Sequence, residues 1–209
     1  MVRILAIDEN AIVRRGLKEL LADEIEDMTF GEARGRDALD LVRKRDWDVI
    51  LLDISMIDTS GLELLKQLRA LRPKTPLLAI SVCADDQFAV RVLRAGAAGY
   101  IQKDCMPEEM AQAVKKLLKG GRYVSTRLAE KLAQNLEGDP ARAPHELLSD
   151  REFEVMRMIA SGKSVTEIAE SLSLSVKTVS TYRARILEKM RVKNNAEITR
   201  YAIFHGLVR

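Results

Sequence analysis

The chain has 209 residues, of which 47% are apolar and 31% are charged, and its formal net charge is +3. This is the composition of an ordinary globular protein long enough for two domains. No apolar run approaches the roughly 18 residues of a membrane span, no secretory signal is visible, and Cys83 and Cys105 form no metal-binding or disulfide pattern. We therefore expect a cytoplasmic protein with reduced thiols and no membrane partner.

Short apolar runs alternate with amphipathic segments over the first 119 residues. The runs predict strands at 2–7, 28–33, 49–52, 77–80 and 99–102, and the segments between and after them predict helices at 11–22, 36–44, 61–71, 87–95 and 107–119. Three of the runs are almost continuously apolar, which is typical of a parallel sheet covered by helices on both faces. Five such repeats predict a doubly wound α/β domain with a five-stranded parallel sheet.

Reactive side chains directly follow four of these predicted strands. They are Asp8 and Glu9 after the first, Asp53 after the third, Ser81 after the fourth and Lys103 after the fifth. The carboxyl ends of parallel strands form the ligand-binding edge of such a sheet, so these groups are expected to converge. Three carboxylates, a hydroxyl and an ammonium suit a divalent cation and a phosphoryl group. Asp53 is then the candidate phosphoacceptor.

A linker is predicted at residues 120–144. Gly120 and Gly121 end the last helix of the first domain, because glycine is common just beyond a helix C-terminus. One more short helix is possible at 126–136. The segment 137–144 contains two prolines and a glycine and has no apolar periodicity, which indicates a linker. The predicted domains are therefore 1–119 and 145–209.

Only helices are predicted in the second domain, at 150–160, 165–172, 176–190 and 195–204. Ser149 with Glu152 and Ser164 with Glu167 match the capping box that begins a helix, and Asn194 indicates a third start of this kind. Three residues separate the second helix from the third, which is the turn length of a helix-turn-helix unit. The domain carries 11 Lys and Arg against 8 Asp and Glu, which points weakly to nucleic acid.

Residues 2–119 resemble the receiver domain of bacterial two-component response regulators. The similarity is carried by the acidic pair, Asp53-x-x-Met56, Gly61 eight residues after Asp53, Ser81, the run Ala95-Gly96-Ala97-Ala98-Gly99-Tyr100, and Lys103. It implies a flavodoxin-like sheet of order 2-1-3-4-5. It also implies that a sensor histidine kinase phosphorylates Asp53.

The resemblance assigns roles to the other groups at the edge of the sheet. Glu9 and Asp53 would bind Mg²⁺ directly, Asp8 would bind it through water, and the Ser55 carbonyl would complete the protein ligands. Lys103 would neutralise phosphoryl oxygens. The switch residues after transfer would be Ser81 and Tyr100, although Tyr100 is equally explained by packing.

Three residues depart from the receiver pattern. Glu9 replaces a second Asp and reaches one methylene further, and Ile57 replaces a proline that would fix the backbone φ angle. Val82 replaces a small residue, and its bulk suggests that water is hindered and the phosphoryl group is long-lived.

Residues 145–209 resemble the LuxR-type helix-turn-helix domain of the NarL/FixJ class of response regulators. The matching segments are Leu148-Ser149-Asp150-Arg151-Glu152, Ile168-Ala169, Leu174-Ser175-Val176-Lys177-Thr178-Val179 and Lys189-Met190, and the segment Val179–Ile186 is most similar to the GacA and BvgA type.

The predicted helix 176–190 has two distinct sides. Its apolar stripe comprises Val176, Val179, Ile186, Leu187 and Met190. A helix with one packed and one polar face fits the major groove of double-stranded DNA. By family position, Ser180, Thr181 and Ala184 face bases. The residues better suited to phosphate are Lys177, Thr178, Tyr182, Arg183 and Lys189, and Arg185 is a further DNA-binding candidate on the polar face. The competing interpretation of the basic residues is a solvated helix face.

The sequence thus predicts a non-enzymatic transcription factor in which phosphorylation of Asp53 controls sequence-specific DNA binding, with a homodimer on DNA. One alternative is an orphan DNA-binding regulator insensitive to phosphorylation, which Glu9 and Ile57 motivate. Another is a Mg²⁺-dependent phosphatase with Asp53 as nucleophile, but Ser55 stands where its second acid would be needed.

Overall fold

A computed structural model describes residues 1–55, 61–82, 86–126, 128–130, 132 and 143–208. The chain divides into two compact units, of which the first contains Met1–Val82 and Ala89–Ala129 and the second contains the short segment Cys83–Phe88 and Glu130–Arg209. The predicted residues Met56, Ile57 and Cys83 and the linker residues 127, 131 and 133–142 lie outside the described residues. Of the possible linker helix, residues 126, 128–130 and 132 are helical.

Strands and helices alternate through the first unit as the apolar pattern predicts. The strands are β1 (Val2–Ile7), β2 (Met28–Ala33), β3 (Val49–Asp53), β4 (Leu77–Ser81) and β5 (Gly99–Gln102). The helices are α1 (Ala11–Ala22), α2 (Gly35–Lys44), α3 (Gly61–Leu71), α4 (Asp86–Arg94) and α5 (Pro107–Leu118). Predicted boundaries differ from these by one residue at most, within the usual variation of helix and strand ends.

The five strands form one parallel sheet of order β2-β1-β3-β4-β5, which confirms the expected fold. All residues of β3 and β4 are buried, which explains their continuously apolar sequences. On one face, Ile4 and Leu51 pack with Val114 and Leu117 of α5 in a single apolar core. The carboxyl ends of β1, β3, β4 and β5 consequently lie at the same edge of the sheet.

The segment after α5 extends the sheet at its β5 side. Tyr123 forms a parallel bridge with Gly99, and the N–H of Tyr100 donates to the Tyr123 carbonyl at 3.0 Å. A Cβ on Gly99 would lie 2.9 Å from that carbonyl oxygen and 2.9 Å from Leu78 Cδ1. Glycine is therefore required for this close approach of two backbones.

The second unit is helical over its described residues, as predicted. A short 3₁₀ turn at Pro144–Leu147 precedes α6 (Asp150–Ala160), α7 (Val165–Ser171), α8 (Val176–Met190) and α9 (Asn195–Phe204). None of the helices described in either unit has the length and apolar character to cross a membrane.

The helix starts of the second unit follow its capping residues. Ser149 and Ser164 each close a reciprocal capping box with the Glu three residues later. Asn194 caps α9 by accepting the Glu197 N–H at 3.0 Å, but the Glu197 carboxylate binds the Lys193 N–H instead of the cap residue itself. The third start is thus a simple N-cap.

Candidate functional site

Lys103 joins two carboxylates at the carboxyl edge of the sheet. Its Nζ lies 2.7 Å from Asp8 Oδ2 and 2.8 Å from Asp53 Oδ2. Asp8 follows β1, Asp53 ends the neighbouring strand β3, and Lys103 follows β5, so the sheet order brings together residues up to 95 positions apart. Both carboxylates are buried, with 4% and 7% of Asp8 and Asp53 exposed. The predicted convergence of these three groups is observed.

The electrostatics of the cluster follow from burial and from the Lys103 charge. Burial raises the pKa of Asp53, and the hydrogen bond and charge of Lys103 offset this only in part. Burial acts to lower the pKa of Lys103, but its hydrogen bonds to Asp53 and Asp8 outweigh that effect and raise the pKa. Lys103 therefore stays charged near neutral pH and compensates the carboxylates.

A second set of hydrogen bonds orders the loops around Asp53. The Ser55 N–H donates to Asp53 Oδ1 at 2.8 Å, and the Ser55 hydroxyl lies 3.1 Å from the Ser81 hydroxyl. The Val82 N–H donates to Ser55 Oγ at 3.1 Å. Ser81 is fully buried, and Tyr100 on β5 is buried as well. Ser55 thus connects the candidate acceptor to the candidate switch residue Ser81.

Gly61 begins α3 in close contact with the backbone that carries Asp53. A Cβ at this position would lie 2.5 Å from the Ile54 carbonyl oxygen and 2.8 Å from Ile54 Cα. No side chain fits in that space, so the glycine noted in the sequence is a packing requirement of the loop after β3.

The Glu9 carboxylate is bound at the start of α2 instead of to Lys103. Its Oε1 accepts the N–H of Gly35, the first residue of α2, at 2.9 Å. Asp8 Oδ1 meanwhile accepts the Asn10 N–H at 2.8 Å. Among the described residues, no three His, Cys, Asp or Glu side chains are close enough together to hold a metal ion.

Sequence reasoning missed Arg14, which binds the backbone of the loop that contains Asp8 and Glu9. Its guanidinium donates to the carbonyls of Asp8 at 2.6 Å and Glu9 at 3.3 Å and also to Glu32 at 3.1 Å. Its side chain is only 11% exposed. A basic residue near the start of a helix opposes the helix dipole, and this unfavourable placement was the available signal in the sequence.

The oxygen donors nevertheless fit Mg²⁺. This ion prefers oxygen, and one or two carboxylates with waters and phosphate oxygens are commonly enough. Asp8 and Asp53 supply two adjacent buried carboxylates, and each oxygen already accepting one hydrogen bond retains a further lone pair.

The surface of α8 divides as its sequence pattern predicts. Val179, Ile186 and Met190 are buried and Leu187 is partly buried, which accounts for most of the apolar stripe. Val176 was wrongly included in that stripe, since it is 49% exposed. It is the first residue of α8, before the turns that pack against α6 and α7.

The nine candidate DNA-contacting residues differ in exposure. Six are exposed, namely Lys177, Ser180, Thr181, Ala184, Arg185 and Lys189. Three are half-buried, namely Thr178, Tyr182 and Arg183. The exposed members at 177, 180, 181 and 184 recur with helical spacing, so they form one continuous strip along α8.

Two of these basic residues have partners inside the domain. Lys189 Nζ lies 2.6 Å from Oε2 of Glu152, which is only 3% exposed, and Arg183 Nε donates to Asn195 Oδ1 at 2.7 Å. Burial acts to raise the pKa of Glu152, but hydrogen bonds from Lys189 and Ser149 outweigh it and lower the pKa. The ion pair attaches the end of α8 to the start of α6, which sequence spacing did not indicate.

Comparison with known proteins agrees with both halves of this description. The response regulator receiver domain family matches residues 4–115, and the bacterial regulatory proteins of the luxR family match residues 146–202. The chain is 37% identical to the response regulator GacA of Pseudomonas aeruginosa, covering 100% of this chain and 98% of GacA. It is 34% identical to the response regulator UvrY of Escherichia coli K12, covering 99% and 96%.

A solved structure is similar over nearly the whole chain. RcsB from Salmonella enterica serovar Typhimurium, bound to the promoter rprA in the presence of the phosphomimetic BeF3⁻, is 26% identical with a TM-score of 0.75. The similarity covers 96% of this chain and 97% of RcsB. The expected likeness to the GacA type is confirmed, and the chain belongs to the two-component response regulators of the NarL/FixJ class, with a receiver domain and a LuxR-type DNA-binding domain that regulate transcription.

Proposed function

We propose that Asp53 is the residue of this response regulator that accepts the phosphoryl group, and that Lys103 and Ser81 assist the transfer. The observation that carries the proposal is the position of the Lys103 ammonium between the buried carboxylates of Asp8 and Asp53. A nucleophilic carboxylate beside a fixed positive charge, at the ligand-binding edge of a parallel sheet, is suited to phosphoryl transfer.

In the transfer step, an Asp53 oxygen attacks phosphorus and forms a P–O bond. The P–N bond to the phosphorylated histidine of a sensor kinase breaks, and its electron pair stays on the imidazole, which takes up a proton. Lys103 is placed to neutralise the transferred oxygens. Asp53, Glu9 and the Ser55 carbonyl, with Asp8 acting through water, would hold Mg²⁺, which would supply further positive charge for the phosphoryl oxygens.

The buried hydroxyls offer a means of sensing the new group. Phosphorylated Asp53 carries additional negative charge and strong acceptor oxygens. Ser81 is connected to the Asp53 loop through the Ser55 hydroxyl at 3.1 Å, so a new acceptor competes for this hydroxyl. Tyr100 repacks as Ser81 moves, and Val82 shields the phosphoryl group from water and lengthens its lifetime.

We assign the output to the α8 surface of the domain at 145–209, connected by the linker 120–144 to the receiver at 1–119. Ser180, Thr181 and Ala184 face bases, and the six other candidates position the helix on phosphates. Phosphorylation favours a homodimer whose two recognition helices meet DNA half-sites about 34 Å apart. Both the protein and its DNA target are in the cytoplasm.

Asp53→Asn tests the acceptor assignment directly. The parent is expected to take up radiolabel from acetyl phosphate with Mg²⁺, or from a histidine kinase, and to bind promoter DNA more tightly afterwards in a gel-shift assay. Asp53→Asn should show background labelling and no change in DNA binding. Asp104→Asn removes an exposed carboxylate one residue after Lys103 and should behave as the parent. Equal labelling of Asp53→Asn and the parent would reject Asp53.

A phosphorylation-insensitive DNA-binding regulator is the second candidate. It is favoured by the Glu9 carboxylate, a predicted metal ligand that binds the Gly35 amide at the start of α2. Labelling of the parent without any change in its gel shift, or no labelling from any donor, would support this function.

A further inference from the structure

Glu9 occupies the position of a helix cap for α2. The first N–H groups of a helix have no partner within the helix and are usually bound by a side chain just before it. Arg34 precedes α2 and makes no such bond. Glu9, in the loop between β1 and α1, supplies the acceptor instead, with its Oε1 2.9 Å from the Gly35 nitrogen.

The backbone beneath Glu9 is anchored independently of this contact. Arg14 donates to the carbonyls of Asp8 and Glu9, and its Nε is held by Glu32 at 3.1 Å. The Asp8 carboxylate is bound to Lys103 and to the Asn10 N–H. Because the loop is fixed on both sides, Glu9 can change its partner by rotation of its own side chain.

The capping position and the metal position of Glu9 are different places. Among the described residues, no three acidic, His or Cys side chains form a group that could hold one ion. With its carboxylate bound to Gly35, Glu9 therefore does not complete such a group with Asp8 and Asp53. Moving Glu9 to that cation removes the acceptor from the start of α2.

We infer that Glu9 has two mutually exclusive partners, the Gly35 amide and the Mg²⁺ of the phosphoacceptor site, so that metal binding releases the cap of α2. The inference rests on the proposed function, because it requires that site to bind Mg²⁺. The apparent affinity for Mg²⁺ is then the intrinsic affinity multiplied by the fraction of molecules in which Glu9 is not bound to Gly35.

The length of Glu9 decides between these partners, and Glu9→Asp tests it. Aspartate is one methylene shorter and does not reach Gly35, but it is the residue type usual in receivers. Glu9→Asp should bind Mg²⁺ about fivefold more tightly than the parent, because metal binding no longer breaks a helix-capping hydrogen bond in this variant. Glu9→Gln retains an oxygen that accepts from Gly35 but loses the charge, so it should bind Mg²⁺ more weakly.

The measurement is hydrogen exchange of the Gly35 amide in the full-length protein by NMR, with Mg²⁺ affinity measured by calorimetry. In the parent, Mg²⁺ should accelerate exchange at Gly35. In Glu9→Asp, exchange should already be fast without Mg²⁺, and in Glu9→Gln it should stay slow at Mg²⁺ concentrations that saturate the parent. Glu26→Asp makes the same shortening at an exposed carboxylate and should match the parent.

The outcomes separate the inference from the proposed site. If the parent binds Mg²⁺, Asp53→Asn weakens that binding, and Gly35 exchange does not respond to Mg²⁺, then Glu9 is not shared and the phosphoacceptor site stands. If Mg²⁺ binding is absent from the parent or unaffected by Asp53→Asn, the proposed metal site fails and the inference fails with it.

Discussion

The proposed phosphoacceptor cluster around Asp53 and the proposed DNA-contacting surface of α8 use charge in opposite ways. Around Asp53 the charged groups are buried and paired, and Lys103 contacts both carboxylates at less than 3 Å. Along α8 the polar strip is exposed, and Arg185 and Lys177 extend toward solvent. A reaction centre needs few charges held in a defined geometry, whereas a nucleic-acid surface needs charges available to an outside phosphate.

The two regions also depend on different parts of the fold. Asp8, Asp53 and Lys103 meet only because β1, β3 and β5 end at the same edge of one parallel sheet, in which β4 lies between β3 and β5. The strip on α8 exists within one helix, and the ion pair of Lys189 with Glu152 then orients that helix. Substitutions should therefore act over long sequence distances in the first region and locally in the second.

The largest effect is expected from Lys103→Met, which leaves two buried carboxylates without their shared cation. Phosphoryl transfer to Asp53 should slow by about 10²–10³-fold, the usual effect of removing one group that stabilises a developing charge. Labelling kinetics with acetyl phosphate measure this. Lys115→Met removes an ammonium that pairs with Glu24 on the surface, and it should leave the rate unchanged. Equal rates for Lys103→Met and the parent would contradict the role of the ammonium.

Gly61→Ala should disturb the Asp53 loop by steric contact alone. The added Cβ would lie 2.5 Å from the Ile54 carbonyl oxygen, so the loop must move, and the free energy of unfolding should fall by about 1–3 kcal/mol. Urea denaturation gives this value, and labelling should slow as well. Gly16→Ala is the matched control, because nothing lies within 4 Å of its added Cβ in α1. A Gly61→Ala protein as stable as the parent would show that the contact is relieved without cost.

Glu152→Gln should destabilise the DNA-binding domain by about 1–2 kcal/mol at neutral pH, because the buried charge-assisted hydrogen bond to Lys189 is lost. The pKa of Glu152 is lowered below its ordinary value of 4.5 in the folded state. Its contribution is therefore complete above pH 4.5 and disappears as pH falls through the folded pKa.

Urea denaturation of the second unit as a function of pH checks this prediction. The difference between the parent and Glu152→Gln should shrink at acidic pH. Glu170→Gln, an exposed change on α7, should follow the parent throughout. A difference that stays constant down to the lowest pH would mean that the Glu152 charge is not involved.

The smallest effect is expected from Arg185→Ala, since one exposed phosphate contact contributes little to binding. DNA affinity should fall by about 1 kcal/mol, and the slope of log affinity against log salt should decrease by roughly one. Fluorescence anisotropy at several salt concentrations measures both. Arg200→Ala removes the same charge from the exposed side of α9 and should leave the slope unchanged. An unchanged slope for Arg185→Ala would mean that Arg185 is only solvated.

Local sequence patterns predicted the elements and the helix starts well. Apolar runs located all five strands, and the Ser–Glu pairs at Ser149 and Ser164 marked helix starts correctly. These features depend on neighbours a few residues apart, so a single chain displays them directly. The error at Val176 has the same origin, because helical spacing shows which face a residue shares but not where packing begins.

The partners of individual charges were decided by the tertiary structure. The sequence alone determined two domains, a parallel sheet and the set of reactive groups at its carboxyl edge, because strand periodicity and strand ends are local properties. It did not determine that Glu9 binds Gly35, that Arg14 supports the acidic loop, or that Lys189 pairs with Glu152. Each of these contacts needs a hydrogen bond of about 3 Å between distant segments, and only the packed backbone sets such distances.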